Sequence, residues 1–298
     1  MEIKAFKAIA PGLLVNEPMS EHTTFRIGGA ADMLVSVTGA DEIISLIKAA
    51  KDTNTPYMIK GNGSNMLVGD GGIRGLVIEI GAGMSDISVN GNIITAGAGA
   101  LLSRVASEAA KASLSGLEAL SGIPGTLGGG LYMNAGAYGG EMKQVVKTVT
   151  YINDNGDIKT TGGDECGFGY RSSIFTGGGR YIVSAELELR PGDPEAIRAA
   201  MADYNKRRAD KQPLSYPSAG SVFKRPEGYF AGALIEGAGL KGKRIGGAEV
   251  SEKHAGFIIN TGGATAADVL ALIGHVQKTV KEKYNVDLET EIRLIGEK

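Results

Sequence analysis

Glycine is the residue that most constrains how this chain folds. The 298 residues include 46 glycines, roughly twice the average share of about 7%. They follow no collagen period and concentrate in patches at 61–72, 97–99, 116–140 and 162–179. Glycine at this density indicates tight turns, or backbone that approaches a ligand closely. The glycine-rich loops are therefore candidates for ligand contacts.

The regular elements between these patches combine two kinds of supersecondary structure. Residues 31–37 and 56–60 predict strands on either side of a helix at 41–54, a βαβ pattern that leads into a glycine loop. Hairpins follow, with Asn90-Gly91 and Asn155-Gly156 as their turn signals. This mixture predicts an α+β fold rather than an all-parallel sheet. Further elements are predicted as strands at 75–80, 85–91, 92–98 and 181–190, a hairpin at 147–161 and a helix at 103–114.

A run of turn residues at 191–194 predicts a domain boundary. Asp193 can cap the next helix, predicted at 194–208, with Pro194 at its first position. We expect one domain at 1–192, in two lobes at about 1–80 and 81–192, and a second domain at 193–298. The second domain should end in a helix at 264–285 and a strand at 286–296.

Composition excludes several classes of protein. Hydrophobic residues make up 43% and charged residues 21% of the chain, and the net charge is −2. These values are typical of a globular protein and argue against a disordered chain or a dedicated nucleic-acid binder. No apolar run approaches the ~18 residues that a membrane helix needs, and the N-terminal residues do not resemble a signal peptide. A single cysteine, Cys166, suits a reducing cytoplasm, and we expect it to be structural.

Two glycine loops are candidates for an anion site, because successive backbone N–H groups form concave nests that bind phosphate. The first is 61–65, Gly-Asn-Gly-Ser-Asn, which matches neither a Rossmann fingerprint nor a Walker A loop. The second is 123–130, extended by 133–139. A tight turn is the simpler interpretation of each loop alone. Two loops with few charged residues favour a long, partly apolar ligand with a diphosphate, such as the dinucleotide FAD.

Seven segments in order resemble a known family. The chain is similar to the UDP-N-acetylenolpyruvoylglucosamine reductases of bacteria, and the matching segments are HTTFRIGGAADML (22–34), GNGSNMLV (61–68), SGIPGTLGGGLYMNAGAYGGEM (121–142), YRSSIF (170–175), AGSVFKRP (219–226), GGAEVSEKHAGFIIN (246–260) and ETEIRLIG (289–296).

The resemblance implies an FAD-binding domain of the vanillyl-alcohol-oxidase (PCMH) type in two lobes, and a smaller α+β C-terminal substrate domain. It implies the compact subtype, which lacks an extra tyrosine-bearing loop over the substrate. It also implies the reaction: NADPH reduces non-covalently bound FAD, and the enolpyruvyl sugar nucleotide then takes a hydride at its methylene carbon. The product is UDP-N-acetylmuramate, a precursor of peptidoglycan.

The predicted cofactor site combines the glycine loops with this resemblance. The candidate cofactor-binding residues are Gly61, Asn62, Gly63, Ser64, Asn65, Gly125, Thr126, Gly128, Gly129, Asn134, Gly136 and Ala137.

Three catalytic residues are implied by the resemblance. Ser221 matches the serine that donates the proton, Arg171 the arginine that stabilises the enolate, and Glu291 a carboxylate at the same site. Taken alone, these residues would be a turn serine, an ion-pair partner and part of a solvated strand face. Serine is a weak acid, so neighbours such as Lys224 would have to stabilise its alkoxide.

Basic residues cluster in the C-terminal half, where a solvated face is the simpler interpretation. A pocket for the UDP diphosphate and the substrate carboxylate is the functional one, since arginine binds both groups in bidentate fashion. The candidate substrate-binding residues are Lys211, Lys224, Arg225, Arg244 and His254. Arg225 stands where many relatives have asparagine, and Glu249 where glutamine is common. The three histidines are scattered, so no metal site is predicted.

Two other functions stay open at this point. One is a flavin-dependent oxidase of the same fold that acts on another sugar or alcohol. The other is a nucleotide-binding regulatory protein without chemistry. For the reductase we expect a cytoplasmic enzyme whose partners are its small-molecule substrate and NADPH, with no nucleic acid, membrane or obligate protein partner.

Overall fold

Helices and short strands alternate along residues 2–298, which are the residues that the computed structural model describes. The helices are α1 Glu2–Ile9, α2 Ala40–Asp52, α3 Leu102–Lys111, α4 Leu127–Tyr132, α5 Pro194–Lys211, α6 Ala231–Gly237 and α7 Ala266–Tyr284. The four helices predicted from periodicity are confirmed as α2, α3, α5 and α7, with small shifts at their ends.

The strands are short, and most join antiparallel neighbours. They are β1 Leu14–Pro18, β2 Ala30–Val37, β3 Tyr57–Lys60, β4 Met66–Val68, β5 Ile73–Ile80, β6 Ile87–Asn90, β7 Ile93–Gly97, β8 Leu114–Ser115, β9 Gly136–Ala137, β10 Gly140–Glu141, β11 Val146–Asn153, β12 Ile158–Gly162, β13 Arg180–Glu188, β14 Arg190–Pro191, β15 Ser218–Ser221, β16 Arg244–Ile245, β17 Ala248–Val250, β18 Phe257–Asn260 and β19 Arg293–Ile295.

The chain forms two units whose segments alternate in sequence. Unit 1 contains the chain up to Leu14, Leu34–Asn62 and Leu76–Arg208, and unit 2 contains Val15–Met33, Gly63–Gly75 and Ala209–Lys298. This division differs from the predicted split between residues 192 and 193. The difference arises because α5 belongs to unit 1 as far as Arg208, while two early segments belong with the C-terminal residues.

Unit 1 is built around a five-stranded antiparallel sheet of order β12-β11-β13-β7-β6. The predicted hairpin at Asn90-Gly91 joins β6 to β7, with Asn90 opposite Ile93 and Gly91 in the left-handed region at φ 59. The predicted βαβ unit is β2-α2-β3, and β3 pairs in parallel with β5. Helix α2 buries Ile43, Leu46 and Ile47 at helical spacing.

Unit 2 contains an antiparallel sheet of order β15-β18-β17-β16 and the long helix α7. Helix α7 contributes one apolar face to the core of this unit, comprising Val269, Leu272, Ile273, Val276 and Val280. Its N-terminus is capped by the Thr265 side chain, and the Asp70 carboxylate accepts the N–H groups of Ala266 and Ala267 at 2.7 and 2.9 Å. These caps fix the start of the helix.

The prediction of a strand over 286–296 is wrong for most of its length. The strand β19 begins only at Arg293 and pairs in parallel with β4, and Leu294 within it is 50% exposed. The preceding segment is irregular, and it is held by isolated backbone bonds to residues 222–224 and by Gln277, whose Nε2 donates to the carbonyl of Leu288 at 2.9 Å. Leu288 and Ile292 are still buried, which is why the sequence looked periodic.

Within the described residues, no helix combines the length and the apolar character that a bilayer-spanning helix requires.

Candidate active site

The first glycine loop follows β3, and in unit 1 its start lies against the second loop. A Cβ added at Gly61 would lie 2.4 Å from Oγ1 of Thr126, so only glycine fits this approach. The Asn62 side chain donates from Nδ2 to the carbonyl of Pro124 at 2.7 Å. The structure therefore brings the two predicted phosphate loops together.

A buried lysine orients the first peptide of this loop. The Lys60 side chain is 2% exposed, forms an ion pair with Glu79, and donates to the carbonyl of Gly61 at 3.0 Å. Burial lowers the pKa of Lys60, although Glu79 opposes this shift. In a trans peptide the C=O and the next N–H point in opposite directions. Holding the Gly61 carbonyl on Lys60 therefore turns the N–H of Asn62 away from the protein interior.

Several loop N–H groups have no acceptor within residues 2–298. In unit 1 these are the N–H groups of Asn62, Gly125 and Thr126, and in unit 2 those of Gly63 and Ser64. Backbone N–H groups are normally paired with acceptors of the protein itself unless a ligand supplies the acceptor. Donors without acceptors fit the oxygens of a diphosphate, so these residues suit the phosphate part of a dinucleotide.

Other predicted donors are already used within unit 1. The N–H of Gly128 donates to the carbonyl of Ala98 at 2.8 Å, and the N–H of Gly129 to Oγ1 of Thr126 at 3.4 Å. A Cβ at Gly128 would lie 2.9 Å from the Cβ of Ala98, so close packing explains this glycine. The cofactor-binding assignment of Gly128 and Gly129 stays a prediction, and it does not rest on free backbone donors.

Asn134 is 1% exposed and uses its whole side-chain amide inside unit 1. Nδ2 donates to Glu141 Oε2 and to the carbonyl of Gly169, both at 3.0 Å, while Oδ1 accepts the N–H of Lys143 at 3.0 Å. Asn134 therefore fastens the loop that contains Gly136-Ala137 to the turn at Gly169. Its predicted cofactor role would have to come from the backbone, because the amide is saturated.

The predicted catalytic arginine lies in unit 1 at the tip of a tight turn. Gly169 and Ser172 exchange backbone hydrogen bonds of 3.0 and 3.4 Å, and Arg171 between them is in the left-handed region at φ 54. This conformation is strained for a residue with a side chain, and such strain is concentrated at functional sites. The guanidinium carbon of Arg171 lies 5.3 Å from the ring centre of Tyr170.

Ser221 ends β15, and a β-bulge precedes it. The register with β18 shifts between Ser218 and Ser221, and Gly220 in the bulge has φ 79. Bulges redirect side chains and are common beside active sites. The Ser221 side chain is half-buried, and its hydroxyl has no hydrogen-bond partner among the described residues.

Ser221 and Glu291 lie close together in unit 2. The N–H of Glu291 donates to the carbonyl of Val222 at 2.7 Å, which places the two predicted residues on adjacent backbone segments. The Glu291 side chain is half-buried. The structure thus brings together the backbone segments that contain Ser221 and Glu291, while Arg171 belongs to unit 1.

Lys224 and Arg225 lie three and four residues after Ser221 and contact different partners. Lys224 Nζ donates to Glu289 Oε2 at 2.9 Å in an exposed ion pair. The guanidinium of Arg225 lies 4.0 Å from the ring centre of Phe230, a cation–π contact on an exposed ring. An exposed ion pair contributes little to stability. Lys224 can therefore leave Glu289 and bind an anionic ligand instead.

Arg244 forms an ion pair with Glu249, whose side chain is 10% exposed. A buried carboxylate needs a partner. Glutamine would offer Arg244 no negative charge, whereas the glutamate of this chain forms an ion pair with it. The departure from the family pattern at residue 249 therefore bears directly on one predicted substrate contact.

His254 lies in the segment before β18, among basic residues of unit 2. Its Nδ1 accepts the N–H of Gly256 at 3.0 Å, which places the proton of the neutral ring on Nε2. Burial lowers the pKa of His254, and the charges of Lys241 and Lys211 lower it further. The ring is therefore a neutral donor through Nε2, and Lys211 itself is exposed.

Sequence reasoning missed the burial of Arg208. This arginine is 8% exposed, donates to the carbonyl of Gly122 and interacts with Tyr138, whose ring stacks on Tyr204 at 5.1 Å. A cavity of about 560 Å³ adjoins Tyr138 and Tyr204 in unit 1. A run of three basic residues at 206–208 suggests a solvated face, and only the tertiary structure reveals that one of them is inside.

The lone cysteine has the environment of a structural residue. The thiol of Cys166 is buried and donates to the carbonyl of Gly162 at 3.3 Å. Burial raises the pKa of Cys166 to about 11, and Glu165 adds to the shift. Within residues 2–298, no three His, Cys, Asp or Glu side chains are grouped as a metal site would require.

Comparison with known proteins gives matches along most of the chain. Residues 31–162 match a family described as an FAD binding domain, and residues 212–295 match the UDP-N-acetylenolpyruvoylglucosamine reductase C-terminal domain. The first family model covers the region of both glycine loops. The second covers Ser221 and Glu291.

Named relatives are similar over nearly their whole length. The UDP-N-acetylenolpyruvoylglucosamine reductase of Clostridium perfringens (strain SM101 / Type A) is 52% identical, covering 95% of this chain and 93% of the relative. That of Agathobacter rectalis is 53% identical, covering 96% and 95%. The crystal structure of the Thermus caldophilus reductase is 36% identical with a TM-score of 0.81, covering 95% of this chain and 97% of that chain. The chain therefore belongs to the UDP-N-acetylenolpyruvoylglucosamine reductase family, with the FAD-binding α+β fold that its sequence predicted.

Proposed function

We propose that this protein uses NADPH and FAD to reduce UDP-N-acetylglucosamine enolpyruvate to UDP-N-acetylmuramate, in the synthesis of peptidoglycan precursors. Family membership at about half identity over nearly the full chain supports the reaction. The observation that carries the chemistry is the half-buried Ser221 hydroxyl, which has no protein partner among residues 2–298 and lies beside Glu291. We expect the enzyme to act in the cytoplasm with small-molecule partners.

The residues for FAD are the loop amides without acceptors. Asn62, Gly125 and Thr126 in unit 1 and Gly63 and Ser64 in unit 2 offer donors for its phosphates. Bound there, FAD would supply hydride-transfer chemistry between NADPH and the methylene carbon of the enolpyruvyl group. The protein must then complete the reduction with a proton and manage the charge that develops.

Ser221 is the proposed proton donor to the carbon beside the substrate carboxylate. The bulge at Gly220 directs its hydroxyl, and the absence of a protein acceptor leaves the proton available to the substrate. Because serine is a weak acid, a cation must stabilise the oxygen after transfer. Lys224, three residues along, can do so if it leaves its exposed pair with Glu289.

Arg171 is the proposed stabiliser of the enolate. Negative charge spreads onto the substrate carboxylate when hydride arrives, and a planar guanidinium binds a carboxylate through two hydrogen bonds. The strained backbone of Arg171 supports a functional role for its side chain. For Glu291 we propose a place at the carboxyl-side end of the same site.

The substrate is an anion at two places, its diphosphate and its carboxylate. Lys211, Lys224, Arg225 and His254 offer cations and a neutral N–H donor on the surface of unit 2. Arg244 can bind the substrate only when its ion pair with Glu249 breaks. We propose these five as the substrate-binding set.

The oxidase alternative is not favoured, because relatives over nearly the full chain are named as reductases. The test is Ser221→Ala, followed anaerobically. The variant should keep FAD and be reduced by NADPH, yet lose about 10²–10⁴-fold in the rate at which the enolpyruvyl substrate reoxidises the flavin.

Ser218→Ala is the matched control, since it removes a hydroxyl from the same strand on the other side of the bulge. It should reoxidise at the wild-type rate. A Ser221→Ala variant that matched this control would exclude Ser221 as the proton donor.

A further inference from the structure

One residue forms two hydrogen bonds with the backbone at the predicted catalytic glutamate and just after it. In unit 2, Asn65 donates from Nδ2 to the carbonyl of Glu291 at 3.2 Å, and its own carbonyl accepts the N–H of Arg293 at 2.9 Å. Both bonds come from the loop that precedes β4, more than two hundred residues earlier in the chain. The residue that ends the first glycine loop therefore holds the backbone at Glu291 and at Arg293, on the C-terminal side of the glutamate.

These two hydrogen bonds are important because Glu291 lies outside a regular strand. The strand β19 begins at Arg293, and the segment before it has regular backbone partners on one side only, where Lys224 donates to the carbonyl of Glu289 and Phe223 pairs with Thr290 in an isolated bridge. On one side the N–H of Glu291 donates to Val222 at 2.7 Å. On the other side the carbonyl of Glu291 rests on the Asn65 amide. The Asn65 side chain thus supplies the bond that a neighbouring strand would otherwise make.

The chemistry of this contact requires a neutral side-chain donor. A carboxylate at residue 65 would have no proton to donate at neutral pH and would repel the Glu291 carbonyl oxygen. Alanine would leave that carbonyl unpaired in a half-buried place. Either change would let the Glu291 peptide shift, and its carboxylate would shift with it.

We propose that Asn65 is a positioning residue for Glu291, and that it places this carboxylate through its hydrogen bonds to the backbone of Glu291 and Arg293. The inference rests on the role of Glu291 in the proposed function and deepens it. Asn65 thereby joins the loop that offers amides to FAD with the segment that offers a carboxylate to the substrate.

The test is a double-mutant cycle on the FAD-loaded enzyme, with Asn65→Asp, Glu291→Gln and the pair combined. A displacement of about 1 Å can cost about 100-fold in rate. Asn65→Asp should therefore slow reoxidation of the reduced flavin by the enolpyruvyl substrate by about 10–100-fold. The substrate concentration for half-maximal rate should change by less than about threefold, because the misplaced group acts on the reaction more than on binding.

In the Glu291→Gln background the same Asn65→Asp change should cost less than about threefold, because the group that Asn65 places is already disabled. Asn62→Asp is the matched control for a carboxylate in this loop, since Asn62 contacts Pro124 and not Glu291. Whatever loss it causes should be the same in both backgrounds. Asn65→Ala, with FAD affinity by fluorescence titration and thermal unfolding of each variant, separates misplacement from loss of cofactor or fold.

A full Asn65→Asp loss in the Glu291→Gln background would overturn the inference, and so would a wild-type rate in both Asn65 variants. A wild-type rate in Glu291→Gln alone would remove the role of Glu291, and the inference with it. Failure of the proposed function has a separate signature, because the wild-type flavin would then not be reoxidised by the substrate at all.

Discussion

Gly220 controls the direction of Ser221, and its replacement isolates backbone conformation from packing. The residue has φ 79 within the bulge of β15, and a Cβ added there would meet no atom within 4 Å. Gly220→Ala therefore introduces no steric clash. If the backbone keeps its conformation, the cost is the penalty for holding alanine in the left-handed region, about 1–2 kcal/mol.

A small rearrangement of the edge strand β15 would relieve this strain. The strand β15 lies at the edge of its sheet and pairs only with β18 among the described strands. Flattening the bulge would return residue 220 to an extended conformation, but a shift of one residue turns each side chain to the opposite face. We expect Gly220→Ala to take this route, which would point Ser221 away from the substrate and cost about 100-fold in the reoxidation rate.

Gly239→Ala is the matched control in the same unit. Gly239 has φ 76, a Cβ there would also meet no atom within 4 Å, and the residue follows the end of α6. In urea unfolding, the decrease in the free energy of unfolding that Gly220→Ala causes should be no larger than the decrease that Gly239→Ala causes. Stopped-flow reoxidation should be slow in Gly220→Ala alone. Equal stability losses with two wild-type reoxidation rates would refute the claim that the bulge directs Ser221.

Three further predictions concern charged residues. Arg171→Gly and Arg171→Ala should both lose turnover, but the glycine variant should be more stable in urea by about 1 kcal/mol, because Arg171 is left-handed; equal stabilities would contradict this. Arg244→Ala should lower the free energy of unfolding by about 1–3 kcal/mol, because it leaves the buried Glu249 carboxylate without its partner. Adding Glu249→Gln should restore the lost stability, as measured by thermal unfolding. Because burial and lysine charges lower the pKa of folded His254, the unfolded chain binds more protons, so stability should fall as pH drops below about 6.5. His254→Asn should reduce that slope in urea unfolding between about pH 7.5 and 5.5, and an unchanged slope would argue against it.

Backbone requirements were readable from the sequence because they depend on local composition. The glycine loop at 61–65 and the hairpin at Gly91 follow from short motifs, and both occur where they were predicted. The helices α2 and α7 likewise follow from periodic apolar residues. Features of this kind need no knowledge of distant partners.

Side-chain roles were less readable, because their partners are distant in sequence. Asn134 and Asn65 looked like ligand contacts, yet their amides hold Gly169 and the Glu291 backbone. Lys60 precedes a glycine loop without any motif to mark it, and its function as an anchor depends on burial against Glu79. Only the tertiary structure shows which polar atoms remain free for a ligand.

The most direct test of the account is an anaerobic absorbance titration of the purified protein. NADPH should bleach the flavin band, and addition of the enolpyruvyl sugar nucleotide should restore it within the same cuvette. Preparations that are colourless and take up no FAD would contradict the account, as would a bleached band that the sugar nucleotide leaves unchanged.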